Sequence, residues 1–446
     1  MKKKYTLEEL KALARESGIV GAGGAGFPMY AKLDGRADAY ILNCAECEPV
    51  LKLHRQLLEA HTRQILTAMQ AVVRALNAKC GYVAVKEHYT ETVDAVKAEI
   101  SDFPELELKL LPAVYPSGDE LLLIREVTGR TVAPGALPIS EGVIVNNVET
   151  VYNLYRAMRG FPVTHKYVTV AGAVAEPKTV MAPIGTTVGE LVALAGGATV
   201  KNPAYLIGGP MMGVVGSARD TVAKTTNAVI VLPKNHTAVM NRSLNAGTML
   251  RRAMSVCCQC RSCTELCSRH SAGYPIEPHA IMRVLSNGGK GDKSCIPGIF
   301  YCSGCGLCEA YSCPQGLSPR LLIAELKKQA RQNGITAPKG VELNSPPSDE
   351  KLRRVSSDRL SARLGLTEYD VEAAFIEKEQ RIERVRVPLG RYIGAPSAVA
   401  VKEGDTVVVG DVIGVARENA LSVNVHAPIN GKITEITEVF VEITAC

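Results

Sequence analysis

Eight of the chain's 14 cysteines lie in two tight runs, Cys257-x2-Cys260-x2-Cys263-x3-Cys267 and Cys302-x2-Cys305-x2-Cys308-x4-Cys313, the second followed by Pro314. Three thiolates at successive three-residue steps can wrap one corner of an iron–sulfur cube, and the fourth cysteine of such a run usually reaches across to a second cube. That reading pairs Cys257, Cys260, Cys263 and Cys313 on one [4Fe–4S] cluster, and Cys302, Cys305, Cys308 and Cys267 on the other. It predicts a helical two-cluster domain over residues 246–335.

Zinc and disulfides are the competing readings. Structural zinc takes cysteine pairs set apart by a longer spacer, and disulfides imply an oxidising compartment that nothing else in the sequence suggests. The first run ends in Ser268 where bacterial ferredoxins carry proline, and the second has an extra residue before its last cysteine. Both departures bear on Cys267 and Cys313, so which of them completes which cluster stays open. Cys258 sits inside the first run but out of step, as a bystander.

A chain of 446 residues can bury several cores, and three to four domains are expected. A net charge of +6 is slight for this length, and no basic run with interleaved aromatics points to nucleic acid. Met1–Lys4 resembles the charged start of a signal peptide, but no apolar core follows it. No stretch is long and apolar enough for a membrane span. A cytoplasmic protein with reduced or metal-bound thiols is the expectation.

Near the amino terminus, Thr6 and Glu9 have the pattern of a helix capping box, with Tyr5 and Leu10 placed for a hydrophobic staple. Leu7, Leu10 and Ala14 give a helical stripe ending at Gly18. Gly21, Gly23, Gly24 and Gly26 follow, with Phe27, Pro28 and Lys32 behind them. Residues without bulk let backbone N–H groups approach a phosphate, Pro28 can open a helix, and Lys32 adds charge. The run matches G-x-G-x-x-G but follows a helix rather than a strand, so the dinucleotide-binding fingerprint is not met. A flexible loop is the alternative. Further on, Asn43, Glu46 and Glu48 follow a predicted strand over 39–42. Gly118, Asp119 and Glu120 precede an apolar helix ending near Gly129. Asn146, Asn147, Glu149 and Thr150 mark a strand running into a helix.

In their order, these four segments resemble the flavin-binding subunit of respiratory complex I and its relative, the C subunit of Rnf-type electron-transfer complexes. The resemblance covers residues 1–160 and implies an FMN- and NADH-binding α/β domain. It implies that the glycine loop and Lys32 hold FMN phosphate, with Phe27 beside them in the cofactor site, and that Asn43, Glu46 and Glu48 line the flavin. By the same resemblance Gly118, Asp119 and Glu120 lie where NADH stacks, while Asn146, Asn147, Glu149 and Thr150 close the pocket. Cys44 and Cys47 form a C-x-x-C there; lining or packing is expected of them, with a redox disulfide as the alternative.

Residues 163–245 alternate short strands with Gly/Pro turns around a helix at 188–194, and look like the soluble-ligand-binding β-grasp (SLBB) module of the same family. A corrin ring as its ligand, or a spacer role, both stay open. A helix over 318–332 is followed by a linker-and-helix segment, residues 336–385, with a charged helical region over 352–383. Residues 386–446 read as strands with turns at 403–405 and 428–431, similar to the barrel-sandwich hybrid of lipoyl and biotinyl carriers. Ala420 stands where those carriers have their modified lysine, so assembly is expected of this module.

The fold class is therefore multidomain α/β plus α+β: a complex I flavin-subunit-like domain, a β-grasp module, a ferredoxin-like two-cluster domain and a carboxy-terminal β barrel-sandwich hybrid. Rnf-type C subunits carry the sandwich first; placing it last resembles the cobalamin reductases of propanediol-utilisation microcompartments. That resemblance implies FMN and two [4Fe–4S] clusters as cofactors and NADH as substrate. It implies cobalamin as acceptor, a cobalamin adenosyltransferase and a microcompartment shell protein as partners, and a cytoplasmic place inside the microcompartment. No residue is singled out as a catalytic acid or base. His270 and Gly273 are only a fragment of the Asp-x-His-x-x-Gly corrinoid signature. An Rnf-type subunit with another acceptor, and a cluster-stabilised scaffold without turnover, remain as alternatives.

Overall fold

The computed structural model describes residues 4–446, and the start of the lysine run, Met1–Lys3, lies outside the described residues. Strand Ala39–Cys44 lies inside a four-stranded parallel sheet, in the order Leu106–Leu111, Cys80–Lys86, Ala39–Cys44, Val143–Asn147. A parallel strand covered on both faces reads as a continuous apolar run, as Ala39–Leu42 does. Tyr40, Leu42 and Cys44 pack with the helices Leu53–Ala60 and Thr62–Leu76, while Ala39 and Ile41 meet Leu123, Ile124 and Val127 of helix Glu120–Thr128. Neighbours leave this strand in opposite directions, so the topological switch point lies beyond the carboxyl ends of Ala39–Cys44 and Val143–Asn147. Open α/β sheets bind their ligands there. The predicted capping box starts helix Leu7–Glu16: Thr6 Oγ1 accepts from Glu9 N and Glu9 accepts from Thr6 N.

The middle unit is a six-stranded mixed sheet built on strands His165–Gly172 and Ala228–Pro233, with helix Val188–Leu194 against it. Gly172 is obligatory there: its φ is +90°, and a Cβ would run into the Val231 carbonyl. Helices Ala246–Val256, Pro278–Ser286 and Pro319–Gln332 then close around Met249, Ala253, Met282, Leu317 and Leu322. The loops between them carry the cysteines.

The charged helical region expected over 352–383 is not continuous. It contains one α-helix, Ser357–Leu364, a 3-10 turn at Thr367–Tyr369, and two short strands that sew the linker onto earlier units. Val355–Ser356 pairs antiparallel with Val114–Tyr115, and Ala374–Ile376 adds an edge to the middle sheet beside Lys178–Pro183. Strands of two or three residues are too short to show a period, and pairing across the chain determines them.

The last unit is two small antiparallel sheets. It docks on the first unit through backbone: Asn424 N donates to Arg15 O (3.1 Å) and Ile393 N to Gly26 O (3.0 Å). Lys224 Nζ donates to Gly18 O (2.7 Å) and Asn424 O (2.8 Å), tying three units at one buried point. Among the described residues, no helix is long and apolar enough to cross a membrane.

Candidate functional site

A bridge between Val20 and Pro28 pinches residues 21–27 into a loop. Gly21 N donates to Phe27 O (2.8 Å), and Gly26 N to Gly21 O (3.1 Å). Ala22 N donates to Thr150 Oγ1 (2.9 Å), which fastens the loop to the first turn of helix Val148–Met158. A Cβ on Gly23 would sit 3.4 Å from the Asn147 side chain, whereas Gly24, at φ +120°, has nothing within 4 Å. An exposed backbone tip beside a helix amino terminus, without side chains in the way, is what a phosphate cradle requires. The loop therefore fits the phosphate of FMN.

Gly26 has a second neighbour that its sequence gives no hint of. At φ +71°, a Cβ would lie 2.9 Å from Thr225 Cγ2 and 3.0 Å from Tyr392 Cα, so two later units back the loop. Strain of about 1–3 kcal/mol is expected of a side chain there. Gly26→Ala should weaken FMN retention roughly tenfold, read from flavin absorbance after gel filtration.

The other expected residues gather at the switch point, with partners of their own. Lys32 Nζ donates to Glu120 Oε1 (2.7 Å) and Val145 O (3.0 Å), so these two expected binding groups neutralise each other. Asn43 Nδ2 donates to Gly118 O (3.1 Å), joining the strand end to the 118–120 turn. Asn146 Nδ2 donates to buried Tyr40 OH (3.0 Å). Asn147 caps its helix by accepting from Glu149 N (3.0 Å), and its amide meets His54 Nε2 at 3.2 Å. Glu149 is paired with Lys166 in the interior. Glu46 is fully enclosed and accepts from His54 N (2.6 Å) and Arg55 N (3.3 Å), so it caps helix Leu53–Ala60. Asp119 spends both oxygens: Oδ1 accepts from Leu121 N (3.1 Å) and Arg269 Nη2 (2.7 Å), and Oδ2 from Arg269 Nε (2.9 Å).

Glu48 is different. Its Oε2 accepts from Met211 N (2.8 Å) in the middle unit, and its Oε1 is sealed from solvent with no hydrogen-bond partner among the described residues. Burial pushes its carboxyl up from 4.5 to about 7, against the pull of the Met211 N–H and Arg242. The folded chain therefore keeps this proton to higher pH than the unfolded chain does. Stability should fall as pH rises from about 4.5 to about 7, and Glu48→Gln should flatten that part of a Tm-against-pH curve.

Two cavities hold the cysteine runs. One is lined by Cys257, Cys260, Cys263 and Cys313, the other by Cys267, Cys302, Cys305 and Cys308. The fourth cysteines thus cross over. Burial pushes the Cys263 and Cys267 thiols up to about 12, with Cys313 and Cys305 the next largest influences respectively. Thiols crowded in a low dielectric fit a metal that would hold them deprotonated. Among the described residues no group of three His, Cys, Asp or Glu converges on a point suited to one ion. A ring of four cysteines about a cavity suits a cube better than a zinc ion. All 14 cysteines are free thiols. Cys44 belongs to the core of the first unit, and Cys47 packs with the neighbouring cluster of Val50, Tyr115 and Leu307, so both thiols pack.

The cavities differ in setting. The Cys267 cavity is inner: Tyr115 OH donates to Cys305 O (2.6 Å), and the Arg269–Asp119 pair clamps its rim to the 118–120 turn. The Cys257 cavity is outer, with Cys258 and Cys260 exposed. Tyr115, Arg269, His54, Lys166 and Tyr392 were not among the residues expected at the site. Two of them had visible cues: Tyr115, three residues before Gly118, and Arg269, two residues after Cys267.

Comparisons with known proteins follow the same partition. Residues 14–156 match the Nuo51 FMN-binding domain, 167–215 the SLBB domain, 256–318 a 4Fe-4S dicluster domain, and 368–445 the RnfC barrel sandwich hybrid domain. Over 435 residues the chain is 40% identical to cobalamin reductase PduS of Salmonella typhimurium, covering 97% of this chain and 95% of that one. The chain belongs to the PduS family. The Citrobacter freundii PduS is 39% identical over 97% of this chain and 96% of its own. A component of the proton-translocating ferredoxin:NAD(+) oxidoreductase complex of Clostridium ljungdahlii is 33% identical over 60% of this chain and 57% of its own. An NAD+-reducing [NiFe]-hydrogenase in the H2-reduced state shares the fold at TM-score 0.51 and 20% identity, over 75% of this chain and 64% of that one. This member of the PduS family is an oxidoreductase, an iron–sulfur flavoprotein with FMN and two [4Fe–4S] clusters as its cofactors.

Proposed function

We propose that the chain carries electrons from NADH through FMN and two [4Fe–4S] clusters to a corrinoid, cob(III)alamin or cob(II)alamin. It would feed a cobalamin adenosyltransferase inside a propanediol-utilisation microcompartment. The observation that carries this reading is full-length likeness to a cobalamin reductase, joined to a glycine loop and two four-cysteine cavities in one chain. FMN, when bound, accepts a paired hydride donation and releases electrons singly, as a [4Fe–4S] cluster requires.

The chain's own residues supply the setting. Backbone N–H groups of Gly23, Gly24 and Ala25 at the exposed loop tip would hold the phosphate, while Lys32 is paired with Glu120. Asn43 and Asn147 border the flavin, and Tyr115 fixes the inner cavity against that wall. Cys267, Cys302, Cys305 and Cys308 hold the inner cluster; Cys257, Cys260, Cys263 and Cys313 hold the outer one. Gln259 Nε2 donates to Cys257 Sγ (3.2 Å) and Gly304 N to Cys302 Sγ (3.4 Å), contacts that tune cluster potential.

Anaerobic protein should show NADH-dependent flavin bleaching, then paramagnetic signals of reduced clusters, then reoxidation on adding cobalamin. Bleaching without cluster signals, or reduced clusters indifferent to cobalamin, would reject the route or the acceptor respectively.

A further inference from the structure

Resting on that electron-transfer reading, we propose that the outer cysteine cavity is the outlet, and that the surface around it docks an acidic face of the protein that carries the acceptor. Residues 246–332 hold 11 Lys and Arg against 5 Asp and Glu, a surplus equal to the whole chain's +6, so the remainder is neutral. At the inner cavity, basic groups are spent internally: Arg269 on Asp119, Arg320 on Glu309, and Lys327 on the carbonyls of Phe300 and Cys302.

At the outer cavity they face solvent. Arg251 and Arg252 are exposed on helix Ala246–Val256, which runs directly into Cys257. They bond to Thr248 Oγ1 and, across the rim, to Gln315 O, and neither is matched to a carboxylate among the described residues. Arg261, on the rim itself, is more than half exposed and shares the carboxylate of Glu265 (3.4 Å) with Arg353. On the same helix Met254 is 55% and Val256 41% exposed. Arginine and methionine enriched over an apolar centre is the composition of a protein interface. The positive charge of Arg251 and Arg252 there selects an acidic partner and raises its encounter rate by about 10- to 1,000-fold.

The test uses native cytochrome c, a cationic one-electron acceptor, beside the same protein with its lysines succinylated, so that the haem stays and the charge inverts. Reduced holoprotein should reduce the succinylated form about tenfold faster at low salt, with the difference lost near 0.5 M salt. Arg251→Glu with Arg252→Glu should abolish or invert that preference while leaving reduction of a neutral quinone unchanged. A preference near one in the unaltered protein, or one that survives the double variant, overturns the outlet. Absence of cluster reduction by NADH would instead defeat the underlying route; dithionite-reduced protein still reads the charge preference, so the two failures separate.

Discussion

With Cys305 replaced by serine, NADH should still bleach the flavin, but no electron should reach the outer cluster or any acceptor beyond it. Cys305 lines the inner cavity, and its carbonyl accepts from Tyr115 OH at 2.6 Å, so on the proposed route the inner cluster would receive electrons before the outer one. Removing one of four thiolates from so enclosed a site should cost the whole cluster, and roughly half of the bound iron should go with it. Cys260→Ser should also lose about half the iron, because Cys260 belongs to the outer set. It differs in what remains: NADH should still reduce the inner cluster, visible as one paramagnetic species where the parent shows two. If Cys305→Ser protein still passes electrons from NADH to the outer cluster, the serial arrangement is wrong.

That contrast rests on a pairing which the spacing alone left open. Ser268 and the extra residue before Cys313 obscured which fourth cysteine goes where, and only the packing of helices Ala246–Val256, Pro278–Ser286 and Pro319–Gln332 brings Cys313 beside Cys263. The glycine loop was legible because a backbone phosphate cradle needs residues of one kind in one place. Its backing by Tyr392 was not, since that contact spans more than 360 positions and involves no motif. The acidic residues show the limit most clearly. Glu46, Asp119 and Glu120 each stand in the expected segment, but Glu46 caps a helix, Asp119 is held by Arg269, and Glu120 by Lys32. A motif fixes where a carboxylate is carried; which cation or amide it meets depends on chain brought in from elsewhere. The linker illustrates the same point for folds. Its charge pattern reads as helix, whereas Val355–Ser356 becomes a strand by pairing with the equally short Val114–Tyr115, and Ala374–Ile376 by meeting the sheet edge at Lys178–Pro183.

The largest effect on stability is expected from Lys166→Met. Lys166 and Glu149 are ion-paired with side chains about 1% exposed, and Glu149 also accepts from Tyr167 N at 3.1 Å. Burial pushes the Lys166 ammonium down and the Glu149 carboxyl up, and each charge is the other's main compensation. Taking away the cation alone leaves a carboxylate in the interior, a change that costs about 3–5 kcal/mol. The damage should reach the flavin as well. Glu149 lies in the first turn of helix Val148–Met158, between Asn147, which meets His54, and Thr150, which holds the glycine loop through Ala22 N. Adding Glu149→Gln to Lys166→Met removes the stranded charge while keeping an acceptor for Tyr167 N, so the double variant should recover most of the loss. Urea unfolding of both variants, with FMN release followed in parallel, checks this. Equal destabilisation of single and double variants would show that the lysine acts by packing, and not by charge.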